Sequence, residues 1–160
     1  MFHDFSRTLL TFSLLVLANY TVFPIFSFDY SPIFLVLFFA ALVFQKNYAT
    51  VASLSFIILG LAGLPCFSFG SGLSYVQEPS FAYIVSLIPF SISVFMNKTN
   101  KILLSFVILH FSANFILIIT GNFNPYQFID LSIIQLFFDL LLTFFILWIS
   151  RFSINFIKSR

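Results

Sequence analysis

Six long runs of apolar residues follow one another along the chain, separated by short stretches richer in polar residues, proline and glycine. A helix needs roughly 17–25 apolar residues to cross the hydrocarbon core of a bilayer. The pattern therefore predicts an all-α integral membrane protein with six transmembrane helices, in which residues 1–160 form a single transmembrane domain. The predicted helices cover approximately residues 8–27, 31–45, 48–64, 80–97, 102–120 and 131–150.

The composition agrees with a membrane location. Of the 160 residues, 61% are apolar and only 8% are charged, whereas about 25% of the residues of a soluble domain are charged. The first apolar run carries Asn19 and Pro24 and lacks a small-x-small cleavage site, so we do not interpret it as a cleaved signal peptide. The single cysteine, Cys66, excludes an intramolecular disulfide and a cysteine-cluster metal site.

The distribution of charge predicts the orientation. If six helices alternate in direction, all seven lysines and arginines fall on one side, in the two tails and in the second and fourth connectors. Asp29, Glu78 and Asp130 occupy the three connectors on the other side. Because basic residues are retained in the cytoplasm, we expect both termini to be cytoplasmic and the connector 65–79 to face outward.

The segment 60–83 interrupts the apolar pattern. It holds four of the five glycines and two of the six prolines of the chain. Irregular backbone at a membrane is tolerated only in water, buried in protein, or lining a cavity. We therefore expect a shaped loop beside a binding cavity. Tyr75 and Tyr83 flank Pro79 there, and they are candidates for contact with a ligand or for anchoring at the membrane interface.

Four polar residues lie on one face of the last predicted helix, because they are spaced three or four residues apart. They are Ser132, Gln135, Asp139 and Thr143. Asp139 falls near the bilayer midplane, where a lone carboxylate costs at least roughly 2.5–3.5 kcal/mol, so it must be paired, protonated or hydrated. Asp139 and Gln135 are candidates for ligand binding, whereas the hydroxyl residues are predicted to pack.

The fifth predicted helix supplies a matching polar face. His110 is expected at the depth of Asp139, and Asn114 at the depth of Gln135, because the two helices run in opposite directions. Asn19 of the first helix lies in the same outer half. These groups predict a polar cavity beneath the loop within residues 60–83, which we call the glycine-rich loop. Two alternatives stay open: the side chains only hydrogen-bond helix to helix, or His110 simply neutralises Asp139.

Several kinds of chemistry have no motif in this chain. There is no GxSxG, HExxH, CxxC or paired-carboxylate arrangement, and no GxxxxGK[ST] phosphate loop. Basic residues are too few and too scattered for nucleic-acid binding. We therefore expect solute capture rather than catalysis, with no cofactor, no metal and no nucleic-acid partner.

One family resemblance is carried by the glycine-rich loop. Residues 60–67, GLAGLPCF, resemble the GxxGLPxF signature of the BioY family of biotin transporters, the substrate-binding (S) components of energy-coupling-factor transporters. The likeness continues through GSGLSY at 70–75 and through Pro79 and Tyr83, which have the spacing of the family's PTGGY. Near the chain end, DLL at 139–141 resembles the family's GDLLK.

This chain also departs from the family pattern. Leu142 stands where the family has a lysine, and Phe81 and Ala82 stand where it has two glycines. The missing lysine leaves open an S component for another small vitamin. The missing glycines leave open a membrane scaffold that no longer transports.

The resemblance implies biotin uptake across the bacterial inner membrane. Asp139 would accept the ureido N–H groups of biotin, Asn114 or Gln135 would donate to its carbonyl oxygen, and aromatic side chains would pack on its thiophane ring. The partners implied are the lipid bilayer and a separate energy-coupling membrane protein with ATPase subunits; a homo-oligomer is compatible with the sequence. The candidate substrate-binding residues are Asp139, Gln135, Asn114, His110, Phe67, Gly70, Gly72, Tyr75 and Tyr83.

Overall fold

The computed structural model is mostly helical and describes residues 2–25, 28–44, 47–97, 102–121, 136–141 and 143–144. In chain order the elements are α1 (Phe2–Tyr20), β1 (Phe23–Ile25), β2 (Phe28–Tyr30), α2 (Ile33–Phe44), α3 (Tyr48–Leu61), a 3₁₀ helix (Leu73–Gln77), α4 (Pro79–Asn97) and α5 (Ile102–Ile119). The residues 136–141 and 143–144 are also helical, and we call them the C-terminal segment.

The prediction for the first helix, residues 8–27, was wrong at both ends, since α1 spans Phe2–Tyr20. A short antiparallel hairpin of β1 and β2 follows it, with Pro24 opposite Asp29. Proline has no N–H to continue a helix, and it disfavours helical backbone in the residue before it. The helix therefore ends before Pro24. The chain that follows the helix forms two paired strands, which the prediction of an all-α protein did not include.

The next four helices lie within three residues of their predicted bounds. For the predicted sixth helix, residues 131–150, the structure describes only the C-terminal segment, and those residues are helical. Within the part of the chain that the structure describes, no helix is both long enough and apolar enough to cross a membrane.

The core lies where α2 and α3 pack against α4, which also runs along α5, while α1 covers α2 and α3. Phenylalanine rings fill it. Phe90 of α4 and Phe106 of α5 have ring centroids 5.1 Å apart, and Phe38 of α2 lies 5.9 Å from Phe106. All three side chains are fully buried. This aromatic core holds α2, α4 and α5 together, and α4 and α5 carry Tyr83 and His110.

A polar and aromatic cluster joins the start of α1 to the end of α2 and the start of α3. The Tyr48 hydroxyl donates a hydrogen bond to the Asp4 carboxylate. The Arg7 guanidinium lies 5.9 Å from the ring centroids of both Phe44 and Tyr48, a distance at which cation–π attraction is expected. The cluster lies at the opposite end of α1 from the glycine-rich loop.

Candidate functional site

The glycine-rich loop folds back onto the end of α3 at Gly60. The Gly60 carbonyl accepts a hydrogen bond of 2.8 Å from the Gly72 N–H. Gly72 has φ +79°, a left-handed conformation that favours glycine. The Phe67 ring occupies the space where a side chain at Gly60 would lie, since a Cβ there would be 2.2 Å from Phe67 Cζ. The loop can therefore approach α3 this closely only because residue 60 has no side chain.

A stack of aromatic rings supports the inner side of the loop. Phe67 is 1% exposed; it stacks on Tyr75 at 4.6 Å and meets the edge of Phe56 at 5.4 Å. Phe81 meets Tyr75 from another side at 6.2 Å. The Tyr75 hydroxyl and Ser80 Oγ are hydrogen-bonded at 2.8 Å. Burial raises the pKa of Tyr75, so its hydroxyl stays protonated at neutral pH.

The end of α1 holds the beginning of the same loop. Asn19 Nδ2 donates to the Cys66 carbonyl at 3.2 Å, in a buried position. The Tyr20 hydroxyl donates to the Pro65 carbonyl at 3.0 Å, in an exposed one. Two successive carbonyls of the loop are thus satisfied by two successive side chains of α1, which fixes the loop relative to that helix.

We expect Asn19→Ala to loosen the loop. The substitution leaves the buried Cys66 carbonyl without its donor, and an unsatisfied buried group costs about 1–3 kcal/mol. The unfolding temperature should fall, and protease cleavage between residues 62 and 72 should become faster. Tyr20→Phe is the matched control, because its exposed hydrogen bond can be replaced by water. Equal effects of the two substitutions would show that the buried contact does not hold the loop.

A cavity of about 130 Å³ opens between this loop, α1, α2 and α4. Its described lining consists of aromatic, aliphatic and neutral polar residues and contains no lysine or arginine. Tyr75, Tyr83 and Asn19 line this cavity. The complete described lining is Asn19, Val22, Ser31, Ile33, Phe34, Ser68, Phe69, Tyr75, Ser80, Tyr83 and Ile84. The cavity is smaller than the roughly 300–1,000 Å³ of typical ligand sites, so a vitamin would require it to widen.

The only described carboxylate in the core belongs to Asp139, which is fully buried in the C-terminal segment. The Tyr30 hydroxyl donates to Asp139 Oδ1 at 2.7 Å. On the other side, Asp139 Oδ2 lies 3.7 Å from His110 Nε2, which exceeds hydrogen-bond distance. Among the described residues, neither Oδ2 nor either His110 ring nitrogen has a hydrogen-bond partner. The carboxylate is thus half satisfied, with one oxygen still able to accept.

Tyr30 anchors the hairpin to the C-terminal segment. Its side chain is buried, and its ring packs 6.3 Å from that of Phe138. Burial and then the charge of Asp139 raise the pKa of Tyr30, so its hydroxyl stays protonated and donates. The sequence did not single out this residue. Its partner is 109 positions away, and no local pattern signals such a contact.

The buried cluster of Asp139, Tyr30 and His110 is adjacent to the cavity. Tyr83 lines the cavity, and its ring packs edge-on against His110 at 6.0 Å. Ser31, which follows Tyr30 in the chain, also lines the cavity. On the side of α4, Asp139 is therefore separated from the lining residue Tyr83 by His110.

The other candidate binding residues do not belong to the described cavity lining. Asn114 is half-buried and its Nδ2 donates to the His110 carbonyl at 2.7 Å, within α5. Phe67 lies beneath Tyr75 rather than at the cavity surface, and Gly70 and Gly72 shape the loop without lining the cavity. Gln135 lies outside the described residues. Within those residues, no group of three or more His, Cys, Asp or Glu side chains could hold a metal ion.

Comparison with known proteins gives one result. No curated protein and no solved structure matches the chain. The sequence model of the BioY family, however, matches residues 3–155, which include the glycine-rich loop, the cavity lining and the buried Asp139 cluster. The chain therefore belongs to the BioY family, the S components for biotin of energy-coupling-factor transporters.

Proposed function

We propose that this chain is the biotin-binding component of an uptake transporter in the bacterial inner membrane. It would have six transmembrane helices and cytoplasmic termini. The observation that carries the proposal is a cavity beneath the glycine-rich loop, backed by a buried carboxylate that has one oxygen without a partner among the described residues. The family gives the wider class, because its members bind a vitamin and work with energy-coupling modules.

The membrane arrangement rests on three supports. The family is membrane-embedded in bacteria. The six apolar runs of the whole sequence, with all basic residues on one side, favour cytoplasmic termini. Large apolar side chains are also exposed on the outer faces of the helices, including Leu9, Leu10, Phe111 and Phe115, and a bilayer would cover such a surface.

The chemistry of the site fits the ureido ring of biotin. Two adjacent N–H donors suit a carboxylate acceptor, and Asp139 is a fully buried carboxylate whose neighbour His110 packs on the lining residue Tyr83. Tyr75 offers an aromatic surface for the thiophane ring, supported from behind by Phe67. The hydroxyl groups of Ser31, Ser68 and Ser80 line the same cavity and would bond the remaining polar atoms of the solute.

Entry of the solute requires the cavity to widen. The glycine-rich loop covers the cavity with Ser68, Phe69 and Tyr75, and the residues between its anchors at Cys66 and Gly72 are best placed to move. Release on the cytoplasmic side would follow reorientation of the helices, powered by a separate energy-coupling protein with ATPase subunits. Without that module the chain would only equilibrate biotin across the membrane, unless ligation inside the cell traps it.

One observation favours a second candidate, an S component for another small vitamin. The described cavity lining contains no cation, and Leu142 stands where the family has a lysine, so the carboxylate of biotin has no charged partner there. The scaffold alternative has less support. Phe81, the residue that suggested an obstructed site, packs on Tyr75 and does not line the cavity.

An uptake assay tests the proposal. The chain is expressed in a bacterium that cannot synthesise biotin and lacks its own transporter, with and without an energy-coupling module. We expect radiolabelled biotin to accumulate above the empty-vector level, most strongly with the module. Excess thiamine or riboflavin should not compete. Competition by one of them would favour the second candidate, and absence of uptake despite membrane insertion would contradict transport.

A further inference from the structure

A second groove lies between α1 and α2, and it shares no described lining residue with the cavity beneath the glycine-rich loop. Its volume is about 350 Å³, and its described lining is entirely apolar. The contribution of α1 is Leu14. The residues of α2 recur at helical spacing and so form one continuous stripe along that helix; they are Leu35, Val36, Phe39, Ala40, Val43 and Phe44.

The shape of this groove suits a single hydrocarbon chain. Leu35 and Ala40 are buried, whereas Leu14 and Val43 are exposed, so the groove has a buried floor and exposed rims. From Leu35 to Phe44 the stripe covers about 14 Å of α2, at about 1.5 Å per residue. One leaflet contributes roughly 15 Å of hydrocarbon, which is half of the bilayer core. The groove is therefore about one leaflet deep.

A cation lies at one end of the groove. Phe44 lines the groove, and the Arg7 guanidinium lies 5.9 Å from the centroid of its ring. Arg7 precedes Leu14 by two helical turns, so the two residues share one face of α1. Arg7 is exposed, and among the described residues its guanidinium contacts the rings of Phe44 and Tyr48 and forms no ion pair. The Asp4 carboxylate, one turn earlier, accepts its hydrogen bond from Tyr48.

We propose that this groove binds an acyl chain of an anionic phospholipid whose headgroup phosphate contacts Arg7. A long apolar groove with one cation at its end is complementary to an amphiphile that carries one negative charge at the end of an apolar chain. A guanidinium binds phosphate through two parallel hydrogen bonds. In the orientation proposed above, Arg7 lies on the cytoplasmic side, where the leaflet carries anionic lipids. This inference goes beyond the proposed function, because the groove is separate from the solute cavity.

Lipid retention by the purified full chain tests the assignment. The protein in detergent is titrated with phosphatidylglycerol and with phosphatidylcholine that carry the same acyl chains, and native mass spectrometry counts the bound lipids. We expect the wild type to retain phosphatidylglycerol preferentially. Arg7→Gln should lower that preference roughly fivefold, the change implied by removal of one cation near an anionic headgroup. Lys101→Gln removes the same charge from a connector on the same predicted side, and it should leave the preference unchanged.

Two further measurements separate the acyl chain from the charge. Ala40→Leu places a larger side chain in the groove, so retention of both lipids should fall while the preference between them is kept. Glycerophosphoglycerol, the same headgroup without acyl chains, should not displace bound phosphatidylglycerol. If Ala40→Leu does not fold, the competition with this soluble headgroup still tests the contribution of the groove.

The contrary results are distinct. Equal retention of the two lipids by the wild type, or equal effects of Arg7→Gln and Lys101→Gln, would overturn the role of Arg7. Displacement by the soluble headgroup would reveal a phosphate site that does not use the groove, and it would overturn the assignment to a lipid. If Ala40→Leu keeps lipid retention but loses association with an energy-coupling protein, the groove binds that protein instead. Biotin binding is a separate readout that Arg7→Gln should leave unchanged, so failure of this inference leaves the proposed function standing.

Discussion

Gly60→Ala is expected to cause the most severe steric clash of any glycine-to-alanine substitution in the described chain, and with it a clear loss of stability. The new Cβ would lie 2.2–2.6 Å from three atoms of the Phe67 ring. Phe67 cannot swing away freely, because it is buried between Tyr75 and Phe56. Overpacking of this kind costs about 1–3 kcal/mol. The loop should lose its contact with α3, and the unfolding temperature should fall by several degrees.

Helix propensity alone predicts the opposite sign at this position. Gly60 lies in α3, where alanine is favoured over glycine by about 0.8–1.0 kcal/mol. The clash should outweigh this gain, since the Gly60 carbonyl also accepts from Gly72 and the helix end cannot shift without breaking that bond. Thermal unfolding measures the balance. The double variant Gly60→Ala with Phe67→Leu should recover part of the loss, and a stabilised single variant would contradict the packing described.

Asp139→Asn is expected to cause the largest loss of solute binding. Asparagine keeps an oxygen for the Tyr30 hydroxyl but removes the negative charge and one acceptor. A hydrogen bond to a charged group contributes about 1.5–3 kcal/mol, so the affinity for biotin should fall roughly 10-fold to 100-fold. Stability should not fall with it, because a fully buried carboxyl group has been replaced by a neutral amide. Equilibrium binding and thermal unfolding of the same preparations separate the two effects.

Thr143→Val provides the control for Asp139→Asn. Thr143 lies four residues further along the C-terminal segment, is 2% exposed, and its hydroxyl has no partner among the described residues. Its replacement by an isosteric apolar residue should leave biotin binding unchanged and stability equal or higher. If both substitutions weaken binding alike, the segment contributes by packing. If neither does, Asp139 does not contact the solute.

The helices could be predicted because long apolar runs leave few alternatives, and the bounds of α2 to α5 differ from the structure by three residues or fewer. The hairpin could not be predicted in this way. The segment around Pro24 continues the apolar run of α1, and hydrophobicity alone does not distinguish a strand from a helix in a short stretch. Pro24 was the available signal, and it marks the place where helical backbone ends.

The proximity of His110 and Asp139 followed from residue spacing, because two antiparallel helices bring residues of equal depth together. The structure confirms that the two side chains lie side by side. Tyr30 could not be found, since a contact across 109 residues depends on how the hairpin docks. Spacing also could not tell which ring of the loop faces the cavity. The stacking order places Tyr75 at the wall and Phe67 beneath it.

Equilibrium binding of radiolabelled biotin to the purified chain in nanodiscs tests the central claim most directly. The wild type should bind saturably at micromolar biotin or below, with one site per chain. Unlabelled biotin should displace the label, and thiamine or riboflavin should not. Absence of saturable binding at micromolar biotin by well-folded protein would contradict the assignment of biotin to this cavity.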